Sequence, residues 1–211
     1  MKKTTLAVPA GSERVDAFVS EARVTGRSTA VLSIGSAASP PGETGTDIPA
    51  IPWNPLSFAS ARVAIIEAET ALGGSLDELV LFADPPEDPT GIVDLTPKAL
   101  EGAALSWAAG WAGLIREAAR RFAERGGGTI ILVVVQADRG PLGAMAAGAL
   151  LGLAEGVLSV GCGSVRFIAV RDESGQPDLL ARHAVRTLDE PPRDQGKVQR
   201  FGGRSNLFGR N

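Results

Sequence analysis

Two side chains of this sequence have the reactivity that catalysis uses most often, and each occurs once. His183 lies in a helical stretch, and the sequence places no serine or cysteine where the imidazole would activate it. Cys162 stands between two glycines, with no neighbouring base to convert its thiol into the thiolate. A single cysteine also excludes an internal disulfide and a metal site built from several cysteines. We interpret both residues as surface or packing residues rather than catalytic ones.

A group of carboxylates between residues 84 and 94 is the next candidate. Asp84, Glu87, Asp88 and Asp94 could supply oxygen ligands to Ca²⁺ or Mg²⁺. They lack the regular alternation of a cation-binding loop, so we interpret the stretch as a solvated acidic loop. The sequence therefore predicts no metal site.

Two further features could bind a ligand or a partner. Trp107 and Trp111 stand one helical turn apart on one face of a predicted helix, a pattern more typical of packing or of a subunit interface than of a ligand stack. The basic tail from Arg193 to Arg210 could contact a phosphate-bearing ligand such as a coenzyme A thioester. A solvated tail, or one docked on a neighbouring subunit, is the favoured interpretation.

Composition excludes several classes of protein. The chain has 211 residues and a formal net charge of −3, with a pI near 5.3, which argues against nucleic acid as a partner. Its apolar runs are shorter than the roughly 20 residues of a membrane span. The apolar segment after Lys3 ends at Pro9, too early for a signal peptide. We expect a cytoplasmic protein with no nucleic-acid or membrane partner.

One strand and one helix dominate the pattern that must position any site. Gly126–Val135 is a glycine run followed by β-branched residues without alternation, which predicts a parallel strand buried on both faces. Leu142–Val160 is apolar almost all round, with Glu155 as its one charge. A helix that is apolar on every face needs a partner on every face. We therefore expect this helix to contact a second subunit.

The rest of the chain alternates short strands with helices. This alternation predicts an α/β fold of Rossmann type, a doubly wound parallel sheet with helices on both faces, as a single domain over residues 1–211. Irregular loops are predicted at about 35–55 and 84–97, and a tail at 202–211. The predicted strands are Thr5–Val8, Thr29–Ile34, one within Leu76–Ala83, Thr129–Val135, Val165–Val170 and Lys197–Phe201, and the predicted helices are Ser12–Arg23, Ser57–Leu72, Lys98–Arg125, Leu142–Val160 and Asp178–Leu188.

Three short motifs in this order carry a resemblance to a known family. Gly73 followed by Leu76–Val80 is similar to "G-x-L-D-x-L-V", Gly126–Val135 to "G-G-x-I-V", and Gly196–Gly203 to "G-x-x-x-x-x-G-G". Together, at these separations, they resemble the short-chain dehydrogenase/reductase family over nearly the whole chain.

The resemblance also shows what the sequence lacks for cofactor binding. The family holds its dinucleotide with a turn T-G-x-x-x-G-x-G, whose backbone amides and helix N-terminus bind the pyrophosphate. The matching turn, Val8–Glu13, has the single glycine Gly11, and Glu13 would place negative charge beside a phosphate. The family's N-N-A-G corresponds to Leu81–Asp84. The resemblance therefore implies a chain that binds no nicotinamide cofactor.

The catalytic residues of the family are missing as well. Its asparagine falls near Trp107 and its serine at Val135. Its Y-x-x-x-K pair falls at Gly148 and Gly152, or, in a second register, at Ala144 and Gly148. The sequence contains no tyrosine, so the phenol that acts as general acid is absent. We expect no catalytic residues and no cofactor.

Association between subunits is the property that the resemblance leaves in place. Family members pair through two long helices, which match Lys98–Arg125 and Leu142–Val160, and small residues on both would let a partner approach closely. The predicted interface residues are Ala103, Trp107, Gly110, Trp111 and Leu114 on the first helix and Ala144, Ala147, Gly148, Leu151, Gly152 and Glu155 on the second.

These observations predict a catalytically inactive subunit that supports an active dehydrogenase paralogue in a hetero-oligomer, expected to be a tetramer. One such pair that the chain could resemble is the alcohol dehydrogenase acting on a coenzyme A thioester in anaerobic toluene degradation. Two alternatives stay open. One is a homodimeric ligand-binding or regulatory protein, and the other is an enzyme with rebuilt, nicotinamide-independent chemistry in the vestigial cleft.

Overall fold

A computed structural model of the chain describes residues 2–35, 48–85, 87–136, 140–190 and 196–203. Seven strands form one sheet in the order β3-β2-β1-β4-β5-β6-β7, and every pairing is parallel. The elements are β1 Thr4–Val8, α1 Glu13–Val24, β2 Ser28–Ile34, β3 Ala50–Trp53, α2 Phe58–Ala71, β4 Glu78–Ala83, α3 Pro97–Ala103, a π-helical segment Ala104–Gly110, α4 Trp111–Glu124, β5 Gly128–Val135, α5 Gly140–Val160, β6 Val165–Asp172, α6 Pro177–Asp189 and β7 Gln199–Phe201. The predicted α/β parallel fold is confirmed.

Helices cover both faces of the sheet in two layers. The α2–α4–α5 layer packs on one face and the α1–α6 layer on the other. Side chains of a strand alternate between the faces, so in β4 Leu79 and Leu81 join the first core while Val80 and Phe82 join the second. All six residues of β4 are buried. Central strands buried on both faces explain the near-continuous apolar runs in the sequence.

The predicted loop at 35–55 is wrong at its C-terminal end. Ala50–Trp53 forms the edge strand β3, which pairs with β2 from Val31 to Ile34. Its burial alternates, with Ile51 and Trp53 inside. Pro52 hides this strand from the sequence pattern, although an edge strand tolerates proline because one side needs no ladder hydrogen bonds. Residues 36–47 of that loop and 204–211 of the predicted tail lie outside the described residues.

The other boundaries differ by a few residues. The predicted long helix runs from Pro97 to Glu124 but changes to π-helical geometry over Ala104–Gly110. The last strand is shorter than predicted and begins at Gln199. Ser57 is the N-cap of α2, its hydroxyl accepting a hydrogen bond from the backbone N–H of Ser60.

A buried charge network lies at the amino edge of the sheet. Arg27 is 4% exposed and Glu78 2%, and the Arg27 Nε donates to Glu78 Oε2 at 2.9 Å. Thr5 Oγ1 donates to the same oxygen at 2.7 Å, and Lys3 Nζ lies 3.2 Å from Glu78 Oε1. Arg27 Nη2 also donates to Asp189 at 2.6 Å, and this bond lowers the pKa of the Asp189 carboxyl. The network ties β1, β2, β4 and α6 together.

Removing the guanidinium should be costly because Glu78 would remain charged inside the protein. We expect Arg27→Met to lower the free energy of unfolding by about 3–5 kcal/mol, measured by urea denaturation followed by tryptophan fluorescence. Arg120→Met is the control, since Arg120 pairs with Glu117 and Glu124 on the surface of α4 and should change stability little. Equal, small losses for both variants would contradict the prediction.

Candidate functional site

The topology places a ligand crevice at the carboxyl edge of the sheet. Open parallel sheets bind ligands outside the carboxyl ends of their strands, where the strand order reverses. Here the reversal falls between β1 and β4. The turn after β1 and the residues after β4 therefore line the expected site.

The turn after β1 is built differently from a phosphate-binding turn. Its backbone is tied to β2 by a hydrogen bond from the Ala10 N–H to the Leu32 carbonyl at 2.7 Å. Gly11 has a φ of +76°, which favours glycine. Ser12 is the N-cap residue of α1, but its side chain makes no capping hydrogen bond.

An ion cluster lies at the carboxyl edge of the sheet. Arg14, in the first turn of α1, places its Nη1 2.6 Å from Asp84 Oδ2 after β4, and its Nε 3.6 Å from Asp172 Oδ2 at the end of β6. The Asp172 side chain is fully buried, and its Oδ1 accepts hydrogen bonds from the N–H and hydroxyl of Ser174. One guanidinium therefore bridges α1, β4 and β6 across the carboxyl ends of the strands.

The cluster makes the crevice unfavourable for a pyrophosphate. The cluster brings two carboxylates to this edge, and the charge of Arg14 is already opposed by both of them. Asp84 and Glu13 are recognisable from the sequence as acids of this region, but the pairing of Arg14 with Asp172 is not. One signal in the sequence indicates that Arg14 has an acidic partner, because a cation in the first turn of a helix is opposed by the helix dipole and needs a nearby carboxylate.

Three solved structures of similar shape are short-chain dehydrogenases or reductases by their descriptions. A short-chain dehydrogenase/reductase variant from Serratia marcescens is 20% identical, with a TM-score of 0.74, 95% of this chain covered and 96% of that chain. A 3-ketoacyl-(acyl-carrier-protein) reductase from Brucella melitensis, complexed with NADH, is 16% identical with a TM-score of 0.77, covering 95% and 97%. A short-chain dehydrogenase from Mycobacterium smegmatis is 19% identical with a TM-score of 0.76, covering 97% and 92%. The chain has the short-chain dehydrogenase/reductase fold. No protein-family model and no curated protein matches the sequence.

The positions that match the family's catalytic residues are apolar in this fold. Val135 is buried at the end of β5. Trp107 stacks on Trp111 with ring centroids 5.3 Å apart, and Trp111 meets Trp53 edge-on at 5.8 Å. These indoles form an aromatic cluster at the start of α4, and no hydrogen bond to the buried Trp53 Nε1 occurs in the part of the chain that the structure describes.

The two reactive side chains have the properties of packing residues. His183 stacks on Phe201 of β7 with ring centroids 4.5 Å apart. Burial lowers the pKa of His183, and the neighbouring Arg186 lowers it further, so the imidazole is neutral at pH 7. The Cys162 thiol is partly buried, and burial raises its pKa. Neither residue is activated as a nucleophile or base.

The acidic loop is not arranged as a cation site. Asp88 accepts hydrogen bonds within its own turn from Thr90, and these bonds lower the pKa of its carboxyl. Asp84 points to Arg14 instead. Among the residues that the structure describes, no three His, Cys, Asp or Glu side chains are grouped to hold a metal ion.

The helix α5 presents one open face. Its buried face, with Leu142, Ala146, Leu150 and Ala154, packs on the sheet. By length and composition α5 could span a membrane. A core helix of an α/β protein passes the same test and has a buried face of this kind. Only 28% of its most apolar 18-residue window is buried. The exposed residues of α5 are Ala144, Met145, Gly148, Ala149, Gly152, Glu155, Gly156, Ser159 and Val160.

Four of the predicted interface residues are buried within the chain itself. Trp111, Leu114 and Ala147 are at most 4% exposed and belong to the chain's own core. Gly110 is buried because Pro55 packs on it, so that a Cβ there would collide with the Pro55 carbonyl. The sequence pattern could not separate these positions, since core and interface residues share the same apolar character. Ala103, Trp107 and Leu151 are half-buried, while Ala144, Gly148, Gly152 and Glu155 are exposed, so these seven stay predictions.

Large exposed apolar side chains concentrate on one layer. Phe58, Val63 and Ile66 on α2, Leu105 in the π-helical segment and Met145 on α5 are 37–71% exposed. The opposite layer consists of α1 and α6. Within these two helices, as the structure describes them, the only large apolar side chain that is exposed is Val24 at the end of α1. A concentration of exposed apolar side chains on one side of a protein is typical of an interaction surface. The α2–α4–α5 layer is therefore the candidate association surface.

The ion cluster gives a direct test of the crevice. We expect Arg14→Met to lower the free energy of unfolding by about 3 kcal/mol or more, because it leaves the buried Asp172 carboxylate without its cation. Asp172→Asn added to Arg14→Met should recover most of that loss, since the amide oxygen still accepts from Ser174. Urea denaturation of the four proteins of the cycle measures the coupling. Additive losses in the double variant would contradict a cross-crevice ion pair.

Proposed function

We propose that this chain is a non-catalytic subunit of an oxidoreductase complex, which pairs through its α2–α4–α5 layer with an active short-chain dehydrogenase in a hetero-oligomer. The observation that carries the proposal is the ion cluster of Arg14, Asp84 and Asp172 at the carboxyl edge of the sheet, together with the exposed apolar side chains of the outer layer. The complex would be a tetramer, and its active subunit would oxidise a hydroxyacyl coenzyme A thioester, the class suggested by the inactive and active pair of anaerobic toluene degradation.

The electrostatics of the crevice support the absence of a nicotinamide cofactor. A helix N-terminus binds pyrophosphate when its free N–H groups and glycine backbone face the anion. Here Glu13 is the first residue of α1, and Arg14 is held by Asp84 and Asp172. The site therefore offers the pyrophosphate neither a free cation nor a glycine-lined approach.

A groove beside α1 favours a second candidate function, small-molecule binding. The groove has a volume of about 630 Å³ and is lined by Val19, Val31 and Ile48, with Asp16 and Arg23 also in its wall. An apolar floor with a few charged groups is the usual composition of a ligand site. Under this candidate the protein would be a homodimeric binding or regulatory protein.

The first test is cofactor binding by the isolated chain. We expect no heat of binding for NAD(H) or NADP(H) in titration calorimetry, because two carboxylates lie at the carboxyl edge of the sheet and the turn after β1 has a single glycine. An active short-chain dehydrogenase measured in the same buffer is the positive control. A micromolar dissociation constant, equivalent to about −8 kcal/mol, would contradict the proposal.

The second test is the open face of α5. A Cβ at Gly148 meets nothing within 4 Å, so Gly148→Arg should fold but bring an unpaired charge into a dry contact, at a cost of several kcal/mol. We expect the variant to dissociate from its co-expressed dehydrogenase partner, as measured by size-exclusion chromatography with light scattering. Val24→Arg, at an exposed position at the end of α1 on the other layer, is the matched control and should stay assembled.

The outcome separates the two candidates. A stoichiometric dehydrogenase that co-purifies with the wild type and is lost with Gly148→Arg supports the subunit proposal. A homodimer without a dehydrogenase supports the binding protein. Assembly that survives Gly148→Arg, and also Gly156→Arg two turns further along, would remove α5 from the interface.

A further inference from the structure

The open face of α5 is too small to form a stable interface by itself. Five of its nine exposed residues are Gly or Ala, and each buries little area. A standard interface buries roughly 800 Å² on each partner. The additional area must come from the neighbouring helices of the same layer. In the α2–α4–α5 layer these are α4 and then α2.

Phe58 is the most prominent side chain on that layer. Its ring is 71% exposed and lies across α4 at Gly113, where a Cβ would come within 2.7 Å of the ring Cδ1. The preceding turn is held close to α4 in the same way, since Pro55 packs on Gly110. The two glycines of α4 are therefore used within the chain, and they fix an aromatic ring on the outer surface.

The surroundings of Phe58 combine apolar area with charged side chains. Leu56, in the preceding turn, and Val63 and Ile66, on the same helix α2, are 63%, 50% and 39% exposed. Arg116 and Glu117 share a groove of about 310 Å³ with Phe58 and Gly113. Arg116 makes no ion pair within the described part of the chain, unlike Arg120 and Arg121 on the same helix.

We infer that the dehydrogenase partner of the proposed function also covers the outer face of α2, with Phe58 as the aromatic anchor of the interface and a partner carboxylate facing Arg116. A fixed, exposed aromatic ring bordered by a groove is the usual form of an interface hot spot. An acidic group on the partner is the complement of an arginine that lacks an ion pair in its own chain. This inference rests on the proposed function and extends its interface beyond α5.

The test compares affinities within the complex of this chain and its co-purified dehydrogenase, re-expressed together. Phe58→Ala should raise the dissociation constant at least tenfold, because truncation of an anchor removes most of its contact energy. Arg116→Glu should weaken the complex by a similar factor and reverse its dependence on salt. Val24→Ala is the matched control, because Val24 is 81% exposed on the opposite layer. The dissociation constant of the complex with the Val24→Ala variant should stay within twofold of the wild-type value.

Each outcome decides between the inference and the proposed function. Dissociation by Gly148→Arg with an unchanged constant for Phe58→Ala would overturn the inference and leave the proposed function standing. An assembly that survives both substitutions would overturn both. Circular dichroism and urea denaturation establish that the variants fold. If Phe58→Ala fails to fold, Val63→Glu on the exposed side of α2 takes its place. The same tenfold increase in the dissociation constant is expected. An unchanged dissociation constant would count against the inference.

Discussion

Burial of the central strands on both faces is the constraint on which the rest of this structure depends. Every residue of β4 and all but the first of β5 are buried, so two helix layers are required and the strand connections must cross over the sheet. Polar groups then reach solvent mainly at the two edges where the strands begin and end. The ionisable residues with the fewest solvent contacts are accordingly found at those edges.

The two edges use buried charge in different ways. At the amino edge, Glu78 receives hydrogen bonds from Arg27 and Thr5 and an ion pair from Lys3, so its carboxylate is well satisfied. At the carboxyl edge, Asp172 has a longer 3.6 Å pair with Arg14 and hydrogen bonds to Ser174 on its other oxygen. The first network holds the sheet together. The second ties the first turn of α1 to the residue after β4 and to the end of β6 at the carboxyl edge.

Sequence patterns predicted the parts of the fold that depend on local periodicity. The strand β5 and the helix α5 are dominated by apolar residues in long runs, so their type and approximate bounds could be predicted. The edge strand β3 could not, because four residues with a central Pro52 carry too weak a pattern. The partner of Arg14 is 70 residues away in Asp84 and further still in Asp172, and only the sheet order brings the three together.

The predicted interface residues show a second limit of prediction from the sequence. Gly110, Trp111 and Gly148 look alike in sequence, as small or apolar positions on long helices, but two of them are covered within the chain and one is open. What separates them is the turn from Pro55 to Phe58, which lies over α4. A contact of that kind depends on where β3 ends, and β3 was the element that the pattern did not reveal.

The glycines of the two helices give a physical reason to look for a partner. A glycine inside a helix costs about 1 kcal/mol relative to alanine. Gly110 and Gly113 offset that cost within the chain, because Pro55 and Phe58 occupy the space that a Cβ would take. Gly148, Gly152 and Gly156 have nothing within 4 Å of a Cβ in the described part of the chain, and their φ angles lie outside the left-handed region. Within the described part of the chain nothing offsets roughly 3 kcal/mol at those three positions, whereas a second subunit whose backbone approaches the open face of α5 would.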